Sequence, residues 1–369
     1  MREIRAAVLE QSGGLKVDAL SIEEPRPTEV LVRVSDCGVC HSDYGYIDGS
    51  FPGAYPVVLG HEAAGTIEAV GDAVEGLAPG DRVVLCPLPS CGHCYFCVRS
   101  QPTLCAKYSL SLYTATRPDG SSPYSRQGEM VYRGVGIGGW SEYTVVPQEA
   151  AVKVADDVDL AEACVIGCAV QTGVGAVLNT AAVETGATVL VTGAGGIGIA
   201  VTQGARLAGA SVIVVADPVA ERREAALRFG ATHAIDPGET DVPSFCHDIT
   251  AGIGVDYSFE AAGLAVLIEQ GLLATRTGGT TVCIGAPPLD QGISIPTASA
   301  FVIGEKRLQG CALGSVNAHR DIPRLLDLAR IGRIDLAGMI TDRFDLDHVE
   351  DAVANLRDRK GIRTALSIG

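Results

Sequence analysis

The stretch ATVLVTGAGGIG, residues 187–198, predicts how the C-terminal half of the chain folds. Its apolar start is typical of a buried strand, and the following GIGIAVTQGARLAG is typical of a helix. The same alternation continues with a second strand, ASVIVVAD, a helix, AERREAALRFG, and three further strands, THAID, GVDYSFEAAG and GTTVCIG. Strands that alternate with helices predict an α/β unit with a doubly wound parallel sheet and helices on both of its faces.

Residues 1–85 show a different pattern, in which short apolar runs such as IRAAVL, VLVRVSDCGVC and DRVVL are separated by Pro and Gly. This pattern predicts a β-rich unit. A long polar segment, residues 114–139, is expected to be a loop. After residue 310 come two predicted helices and a closing strand, IRTALSIG. The predicted domains are therefore a β-rich unit of residues 1–169 and 311–369, and an α/β unit of residues 170–310.

The charge of the chain argues against two classes of partner. The formal net charge is −16, and no run of five or six basic residues occurs. A protein that binds nucleic acid or an anionic membrane needs a basic surface, so neither partner is expected. The first residues lack the apolar core of a signal peptide, and no stretch approaches 18 uninterrupted apolar residues. We therefore expect a cytoplasmic protein.

Three glycines mark a candidate dinucleotide site. Gly193, Gly195 and Gly198 form GxGxxG between a predicted strand and a predicted helix, and Asp217 closes the next strand. Such glycines let the backbone approach a pyrophosphate held at the helix N-terminus. A carboxylate at position 217 can bind the ribose 2′-hydroxyl of NAD and would repel the 2′-phosphate of NADP. A solvent-facing aspartate without a role is the alternative, and the neighbouring Arg222 and Arg223 leave some tolerance of NADP open.

Cysteine spacing indicates a first metal site. Four cysteines form C-x2-C-x2-C-x7-C in a polar stretch, which suits a tetrahedral zinc ion: Cys91, Cys94, Cys97 and Cys105. Four free thiols packed in a core are the alternative, but core cysteines do not cluster in polar loops. With no signal sequence, the reducing cytoplasm favours metal ligation over disulfides.

Further residues of metal-ligand type lie in three separate segments: Cys37, Cys40, His61 and Cys168. Each alone could be a buried cysteine or a hydrogen-bonded histidine. Two cysteines and one histidine would leave one position of a tetrahedral zinc open, as a catalytic site requires.

These motifs, taken in order, resemble the zinc-dependent alcohol dehydrogenases of the medium-chain family over essentially the whole chain, in particular the class III and bacterial benzyl alcohol dehydrogenase branches. The matching stretches are GVCHSD, GHEAAGTIEAVGDAV, the four-cysteine segment, GCAVQTGVGAV, VTGAGGIG and GIRTALS. The resemblance implies a GroES-like β-rich catalytic domain and a Rossmann domain. It also implies two zinc ions and NAD, a small alcohol or aldehyde as substrate, and a homodimer or homotetramer.

The resemblance assigns roles to individual residues. It implies Cys40, His61 and Cys168 as ligands of the catalytic zinc, and it leaves Cys37 and Cys164 as packing residues. Glu62 is expected beside the metal, and Asp43 is expected to orient His61. Ser42 is expected to pass the alcohol proton onward. The cofactor phosphates are expected to contact His41 and Arg363.

Two departures from the family pattern bear on function. Well-known members carry a histidine where this chain has Gly45, at the outlet of the proton relay. The alternative function within the family is glutathione-dependent formaldehyde oxidation. Enzymes of that kind carry an arginine where this chain has Ser109, which weakens this alternative. The main hypothesis is hydride transfer between a primary, aromatic or allylic, alcohol or aldehyde and NAD. A zinc-bearing scaffold or nucleic-acid binder is disfavoured by the net charge.

The family alignment also predicts which residues line the substrate pocket: Phe51, Pro87, Leu110, Gly134, Val135 and Ala286. Large aromatic residues of the liver enzyme fall on Pro87 and Gly134 here. We therefore expect a wider pocket that favours benzyl, cinnamyl or terpenoid alcohols over ethanol, unless neighbouring segments refill the space.

Overall fold

The computed structural model describes residues 1–295 and 297–369. The chain forms two compact units. The first unit comprises residues 1–169, 317–332 and 336–369, and the second comprises residues 170–316 and 333–335. We refer to them as the β-rich unit and the nucleotide-type unit.

The strands, in chain order, are β1 Arg2–Leu9, β2 Leu15–Ile22, β3 Glu29–Val39, β4 Val57–Val58, β5 Glu62–Val70, β6 Arg82–Leu85, β7 Tyr124–Arg126, β8 Glu129–Arg133, β9 Tyr143–Pro147, β10 Ala151–Lys153, β11 Thr188–Thr192, β12 Val212–Ala216, β13 His233–Ile235, β14 Val255–Glu260, β15 Thr275–Cys283, β16 Arg307–Gly310, β17 Ile340–Asp345 and β18 Arg363–Ser367. The helices are α1 His41–Asp48, α2 Ser111–Thr114, α3 Leu160–Ala163, α4 Ala169–Gly175, α5 Gly196–Ala208, α6 Ala220–Phe229, α7 Val242–Ile249, α8 Ala265–Ala274, α9 Ala298–Ile303, α10 Ala318–Arg330 and α11 Val349–Arg357.

The β-rich unit contains a closed barrel, in the order β1-β2-β7-β8-β4, and a seven-stranded sheet, in the order β10-β6-β5-β3-β18-β17 with β9 paired to β3. Strand β3 is central to this sheet, since β5 and β18 flank it along its second half. Most of its residues are buried, because both of its faces pack against apolar side chains. This strand leads directly into the segment that carries Cys40.

The nucleotide-type unit is a six-stranded sheet in the order β13-β12-β11-β14-β15-β16, and its neighbouring strands are all parallel. The predicted parallel, doubly wound sheet is therefore confirmed. The strand order reverses between β11 and β14, and ligands of such sheets bind at the carboxyl ends of the strands at this point. The glycine motif begins immediately after β11.

The polar segment expected to be a loop contains a β-hairpin instead, formed by β7 and β8. Its two-residue turn is Gln127-Gly128, and both residues have positive φ, 54° and 87°. Two positive φ angles define the tight turn that matches the twist of paired strands. The segment was mistaken for a loop because its strands are short and rich in polar and charged residues.

The nucleotide-type unit also extends six residues beyond the predicted boundary at residue 310. The backbone N–H of Cys311 donates to the carbonyl oxygen of Cys283 at 2.9 Å, which continues the pairing of β16 with β15. The Asn179 amide donates to the carbonyl oxygen of Gly314 at 3.3 Å. A later segment, residues 333–335, joins the unit because the Asp335 N–H donates to the Gln203 side chain at 2.7 Å.

Within residues 1–295 and 297–369, no single helix has both the length and the apolar character needed to cross a membrane. A bent pair, residues 160–167 and 169–180, meets that test only when its two members are taken together.

Candidate functional site

The structure brings four predicted site residues into one buried cluster. One ligand atom each from Cys40, His61, Glu62 and Cys168 lies within 4.8 Å of every other. Cys40 is the residue before α1, and Cys168 follows a 3₁₀ turn that ends at Gly167. His61 and Glu62 stand at the start of β5, which pairs with the end of β3. The sheet therefore holds three distant segments against one another.

Asp43 fixes the geometry of this cluster from one side. Its carboxylate accepts hydrogen bonds from the Cys40 N–H at 3.2 Å and from the Gly60 N–H at 2.9 Å. The third contact joins its Oδ1 atom to Nδ1 of His61 at 3.0 Å. Because Nδ1 faces a carboxylate, it carries a proton, and the lone pair of the neutral ring is left on Nε2. This contact is what allows Asp43 to orient His61, as the sequence predicts.

The donor set fits a zinc ion. Nε2 of His61 and Oε2 of Glu62 are buried and have no hydrogen-bond partner among residues 1–295 and 297–369. Buried polar atoms are rarely left unpaired unless a ligand completes them. Two thiols and one imidazole are donors that zinc prefers. The hydrogen bond from Cys168 and the positive charge of Arg363 hold the pKa of Cys40 well below its usual value, although burial opposes this.

Glu62 and Arg363 form a buried ion pair beside this cluster. Nη2 of Arg363 lies 3.2 Å from Oε1 of Glu62, and Nη1 donates to the carbonyl oxygen of Val39 at 2.9 Å. The same Oε1 accepts the Ala169 N–H at 3.2 Å. Burial raises the pKa of Glu62 to about 7. Arg363, predicted to contact cofactor phosphate, is thus bound within the β-rich unit to Glu62, and its cofactor role stays a prediction.

Sequence reasoning missed one residue that this arrangement requires. A Cβ atom on Gly38 would lie 2.1 Å from Oε2 of Glu62. Any side chain at position 38 would therefore displace the Glu62 carboxylate. The signal was present as the glycine that opens GVCHSD.

The remaining residues of this segment lie near Cys40 without joining its cluster. His41 is the first residue of α1 and is exposed, and Ser42 is the second and is half-buried. Cys37 and Cys164 are buried outside both cysteine clusters, and their thiols face the carbonyl oxygens of Gly38 and Ala161.

The second cluster unites all four cysteines of the polar segment, Cys91, Cys94, Cys97 and Cys105, whose sulfurs lie within 4.8 Å of one another. Backbone N–H groups surround them. The Cys91 N–H donates to the Cys105 sulfur at 3.4 Å, and hydrogen bonds from Cys97 and Ala106 lower the pKa of Cys94 to about 6. Donors aimed at sulfur favour the thiolate form, which is the form that binds zinc. The arrangement fits a closed tetrahedral site.

The three glycines of the nucleotide motif lie in different surroundings, which explain in three different ways why glycine stands at each position. Gly193 has a φ of 93°, a conformation that residues with a side chain rarely adopt. A Cβ on Gly198 would lie 1.7 Å from the carbonyl oxygen of Gly193, so only glycine permits this close packing. A Cβ on Gly195 would meet nothing closer than an Arg222 nitrogen at 4.0 Å.

Gly195 therefore borders open space at the N-terminus of α5, where no side chain caps the helix. Uncapped N–H groups beside an open glycine fit a pyrophosphate.

Asp217 follows β12 and is buried. Its Oδ2 accepts the Ala194 N–H at 2.7 Å, and its Oδ1 accepts the Val219 N–H at 2.9 Å. An ionised carboxylate has about four acceptor positions, so capacity for a ribose hydroxyl remains. Arg223 pairs with Asp236 at 2.8 Å, and a guanidinium nitrogen of Arg222 is 4.0 Å from the place that a Cβ on Gly195 would take.

Two residues expected to shape the substrate pocket are packed closely. A Cβ atom on Gly134 would lie 2.8 Å from Cδ2 of Leu59 and 2.9 Å from the carbonyl oxygen of Val58. The expectation that Gly134 widens the pocket is therefore wrong, because neighbouring side chains occupy the space. Similarly, a Cβ on Gly45 would lie 2.8 Å from the Phe51 ring, so the Phe51 ring takes the room that a relay histidine would need.

Two family models match separate parts of the chain. Residues 26–156 match the family model of the alcohol dehydrogenase GroES-like domain, and residues 196–330 match that of the zinc-binding dehydrogenases. An S-(hydroxymethyl)glutathione dehydrogenase from Escherichia coli O1:K1 / APEC is 36% identical over 98% of this chain and 99% of its own length.

Two solved structures are also similar over the whole chain. An alcohol dehydrogenase zinc-binding domain protein from Burkholderia ambifaria is 33% identical with a TM-score of 0.95, covering 100% of this chain and 99% of its own. Benzyl alcohol dehydrogenase from Acinetobacter calcoaceticus is 29% identical with a TM-score of 0.94, covering 100% of both chains. With the GroES-like and Rossmann-type units and the predicted motifs in place, the chain belongs to the zinc-dependent medium-chain alcohol dehydrogenase family.

Proposed function

We propose that this enzyme transfers a hydride between a primary aromatic or allylic alcohol, or the matching aldehyde, and NAD, with two zinc ions bound per chain. The observation that carries the proposal is the buried cluster of Cys40, His61 and Cys168, in which the Nε2 atom of His61 has no hydrogen-bond partner in the part of the chain that the structure describes. Three protein ligands leave one tetrahedral position for the substrate oxygen.

Zinc bound at this cluster would supply Lewis acidity, which lowers the pKa of an alcohol that binds to it. The chain's own residues do the rest. Asp43 keeps His61 in the tautomer whose Nε2 can bind metal. The Oγ atom of Ser42, two residues beyond Cys40, would accept the alcohol proton while its own hydroxyl proton passes onward to the ribose of the bound cofactor. Glu62 adds negative charge beside the ligands, and Arg363 balances it.

The four-cysteine cluster would hold the second zinc ion. Its four thiols fill all tetrahedral positions, so this site has no room for substrate and a structural role follows. The backbone donors around Cys94 support binding as thiolates.

The choice of NAD rests on the carboxylate of Asp217. It lies beside the Ala194 N–H in the glycine loop, so a 2′-phosphate bound there would meet a negative charge. The guanidinium of Arg223 is neutralised by Asp236, which reduces the attraction for that phosphate. NAD carries the electron pair of the reaction as a hydride on its nicotinamide ring.

An alcohol panel tests the proposal. Purified enzyme is given NAD and either benzyl alcohol, cinnamyl alcohol or ethanol, and NADH is followed by its absorbance. We expect kcat/KM for benzyl and cinnamyl alcohol to exceed that for ethanol, because an apolar pocket gains about 25 cal/mol per Å² of buried apolar surface. The similarity to a benzyl alcohol dehydrogenase supports this order. A preference for ethanol would refute the aromatic assignment, and activity with NADP alone would refute the cofactor assignment.

A second candidate substrate, S-(hydroxymethyl)glutathione, is favoured by the name of the 36% identical relative. Position 109 opposes it, because a serine there offers no positive charge to a substrate carboxylate. Formaldehyde with and without glutathione distinguishes the two: an absolute requirement for glutathione would establish the second candidate and overturn the first.

We also propose that the enzyme forms a homodimer or homotetramer. Strand β16 is at the edge of the parallel sheet, and α9, shortly before it, exposes Val302 and Ile303 by 71% and 81%. An edge strand beside exposed apolar side chains is suited to contact with another chain. Light scattering of the purified protein measures the state directly, and a monomer would contradict the proposal.

A further inference from the structure

A buried glutamate lies at the point where the order of the parallel strands reverses. Glu260 is the last residue of β14 and pairs with Thr192, the last residue of β11. Gly193, the first glycine of the nucleotide motif, follows Thr192 directly. Ligands of such sheets bind beyond the carboxyl ends of the strands at this point. The Glu260 side chain, which is only 1% exposed, therefore belongs to the edge of the sheet at which the cofactor is expected.

The carboxyl group of Glu260 holds the backbone that follows it. Its Oε1 atom accepts hydrogen bonds from three successive N–H groups, those of Ala262 at 2.8 Å, Gly263 at 2.7 Å and Leu264 at 3.3 Å. Gly263 has a φ of 78°, a conformation that favours glycine, so the chain turns sharply here. We refer to residues 261–264 as the β14 loop. The Glu260 side chain stabilises the conformation of this loop.

The β14 loop packs against the nucleotide motif. The Ala261 N–H donates to the carbonyl oxygen of Thr192 at 2.9 Å. A Cβ atom on Gly193 would lie 3.0 Å from the Cβ atom of Ala262 and 3.2 Å from its backbone nitrogen. The loop is therefore in close contact with the first glycine of the motif.

The same glutamate also contacts the turn after β15. Its carbonyl oxygen accepts the Ile284 N–H at 2.9 Å and the Gly285 N–H at 3.1 Å. A Cβ atom on Gly285 would lie 2.1 Å from the backbone nitrogen of Gly263 and 2.7 Å from Oε2 of Glu260. The turns that follow β11, β14 and β15 thus meet around one side chain.

We propose that Glu260 is a positioning residue for the cofactor. By holding three N–H groups on Oε1, it keeps the β14 loop in the conformation that borders the dinucleotide beside Gly193. This role rests on the proposed function, since NAD is the molecule bound at this end of the sheet. Ala262 and Leu264 are exposed, so their side chains give the loop little packing of its own. A loop that is ordered before binding removes the free-energy cost of ordering it when NAD binds.

Two substitutions at position 260 separate this role from simple packing. Glu260→Leu removes the acceptor, and we expect its dissociation constant for NAD, measured by calorimetry on the zinc-loaded enzyme, to rise at least about tenfold. Glu260→Gln keeps an oxygen that can accept the three N–H groups, and its dissociation constant should stay within about threefold of the parent's. Glu184→Leu, at an exposed glutamate that precedes β11, is the matched control and should bind NAD normally.

Hydrogen exchange of the unaltered enzyme without cofactor gives a second readout that needs no variant to fold. The amides of Ala262 and Leu264 should exchange slowly although both residues are exposed, because Oε1 of Glu260 accepts their hydrogen bonds. In Glu260→Leu the same amides should exchange faster, while the amides within β14 keep the rates of the parent.

Fast exchange of the loop amides in the unaltered enzyme would overturn the proposal. An unchanged dissociation constant for NAD in Glu260→Leu would also overturn it, and a fall in Tm alongside that result would mean that Glu260 serves folding alone. Failure of the proposed function is a different result: the unaltered enzyme itself would then bind no NAD, and the role of Glu260 would fall with it.

Discussion

Nδ1 of His61 lies 3.0 Å from Oδ1 of Asp43, and both side chains are buried. The carboxylate therefore decides which ring nitrogen of His61 is free to bind metal. Asp43→Asn should weaken zinc affinity by about 10- to 100-fold, because an amide stabilises this tautomer less than a carboxylate does. Competition with a chelator measures the affinity. Asp327→Asn, at an exposed position on α10, is the matched control and should bind zinc normally.

The two cysteine clusters should respond differently to loss of one sulfur. Metal analysis of the unaltered protein should give two zinc ions per chain. Cys94→Ser should release one of them and lower Tm by roughly 5 °C or more, since a structural zinc contributes folding energy. Cys168→Ser should keep a Tm near that of the parent and lose turnover. Equal loss of folding in both variants would contradict the division into a structural and a catalytic site.

Gly195 and Gly198 make a matched pair of substitutions three residues apart. A Cβ at position 198 collides with the backbone oxygen of Gly193, whereas one at position 195 enters open space. Gly198→Ala should therefore destabilise the protein by about 1–3 kcal/mol or more, measured by denaturant unfolding. Gly195→Ala should fold normally and bind NAD at least about tenfold more weakly, measured by calorimetry. Unchanged NAD affinity in Gly195→Ala would place the pyrophosphate elsewhere.

Asp217→Ala should shift cofactor preference toward NADP, because it removes the negative charge that faces a 2′-phosphate. The ratio of kcat/KM values for the two cofactors is the measurement. Since Asp217 accepts two backbone N–H groups, Asp217→Asn is the companion variant that removes the charge and keeps an acceptor for one of them. Both should move the ratio in the same direction. If the ratio stayed fixed in both, the charge at position 217 would not govern the choice.

Ser42→Ala should lower kcat with benzyl alcohol by roughly 10²-fold or more, because the variant lacks the hydroxyl that we propose passes the alcohol proton onward. NAD affinity should stay as it was. Deuterated benzyl alcohol establishes that hydride transfer limits the rate being compared. Ser50→Ala, also at a half-buried serine of this region, should leave kcat intact. A full rate in Ser42→Ala under these conditions would remove the residue from the proton path.

The sequence was most informative where chemistry demands fixed residue types. The clusters around Cys40 and Cys94 were predicted from ligand type, spacing and family resemblance, and the structure brings each set together. The parallel sheet was predictable because its strands alternate with helices and because β11 and β12 are continuous apolar runs. The hairpin at Gln127-Gly128 was missed because neither of its short strands shows clear apolar alternation.

Contacts between distant residues that belong to no recognised motif could not be predicted from one sequence. The glycine at position 134 was expected to add volume to the pocket. Leu59, which follows β4, occupies that space instead. Arg363 looked like a phosphate contact, yet its nearest carboxylate is Glu62, about 300 positions away in the chain. Such pairings depend on packing, which local patterns do not encode.

The placement of β18 has a consequence for synthesis of the protein. This strand, residues 363–367, lies between β3 and β17 in the sheet that presents Cys40. A ribosome releases residues 170–316 before it has made β18, so the nucleotide-type unit can fold while the β-rich unit still lacks an inner strand. During that interval the edge of β3 has unpaired N–H and C=O groups exposed, which is the kind of surface that chaperones protect from aggregation.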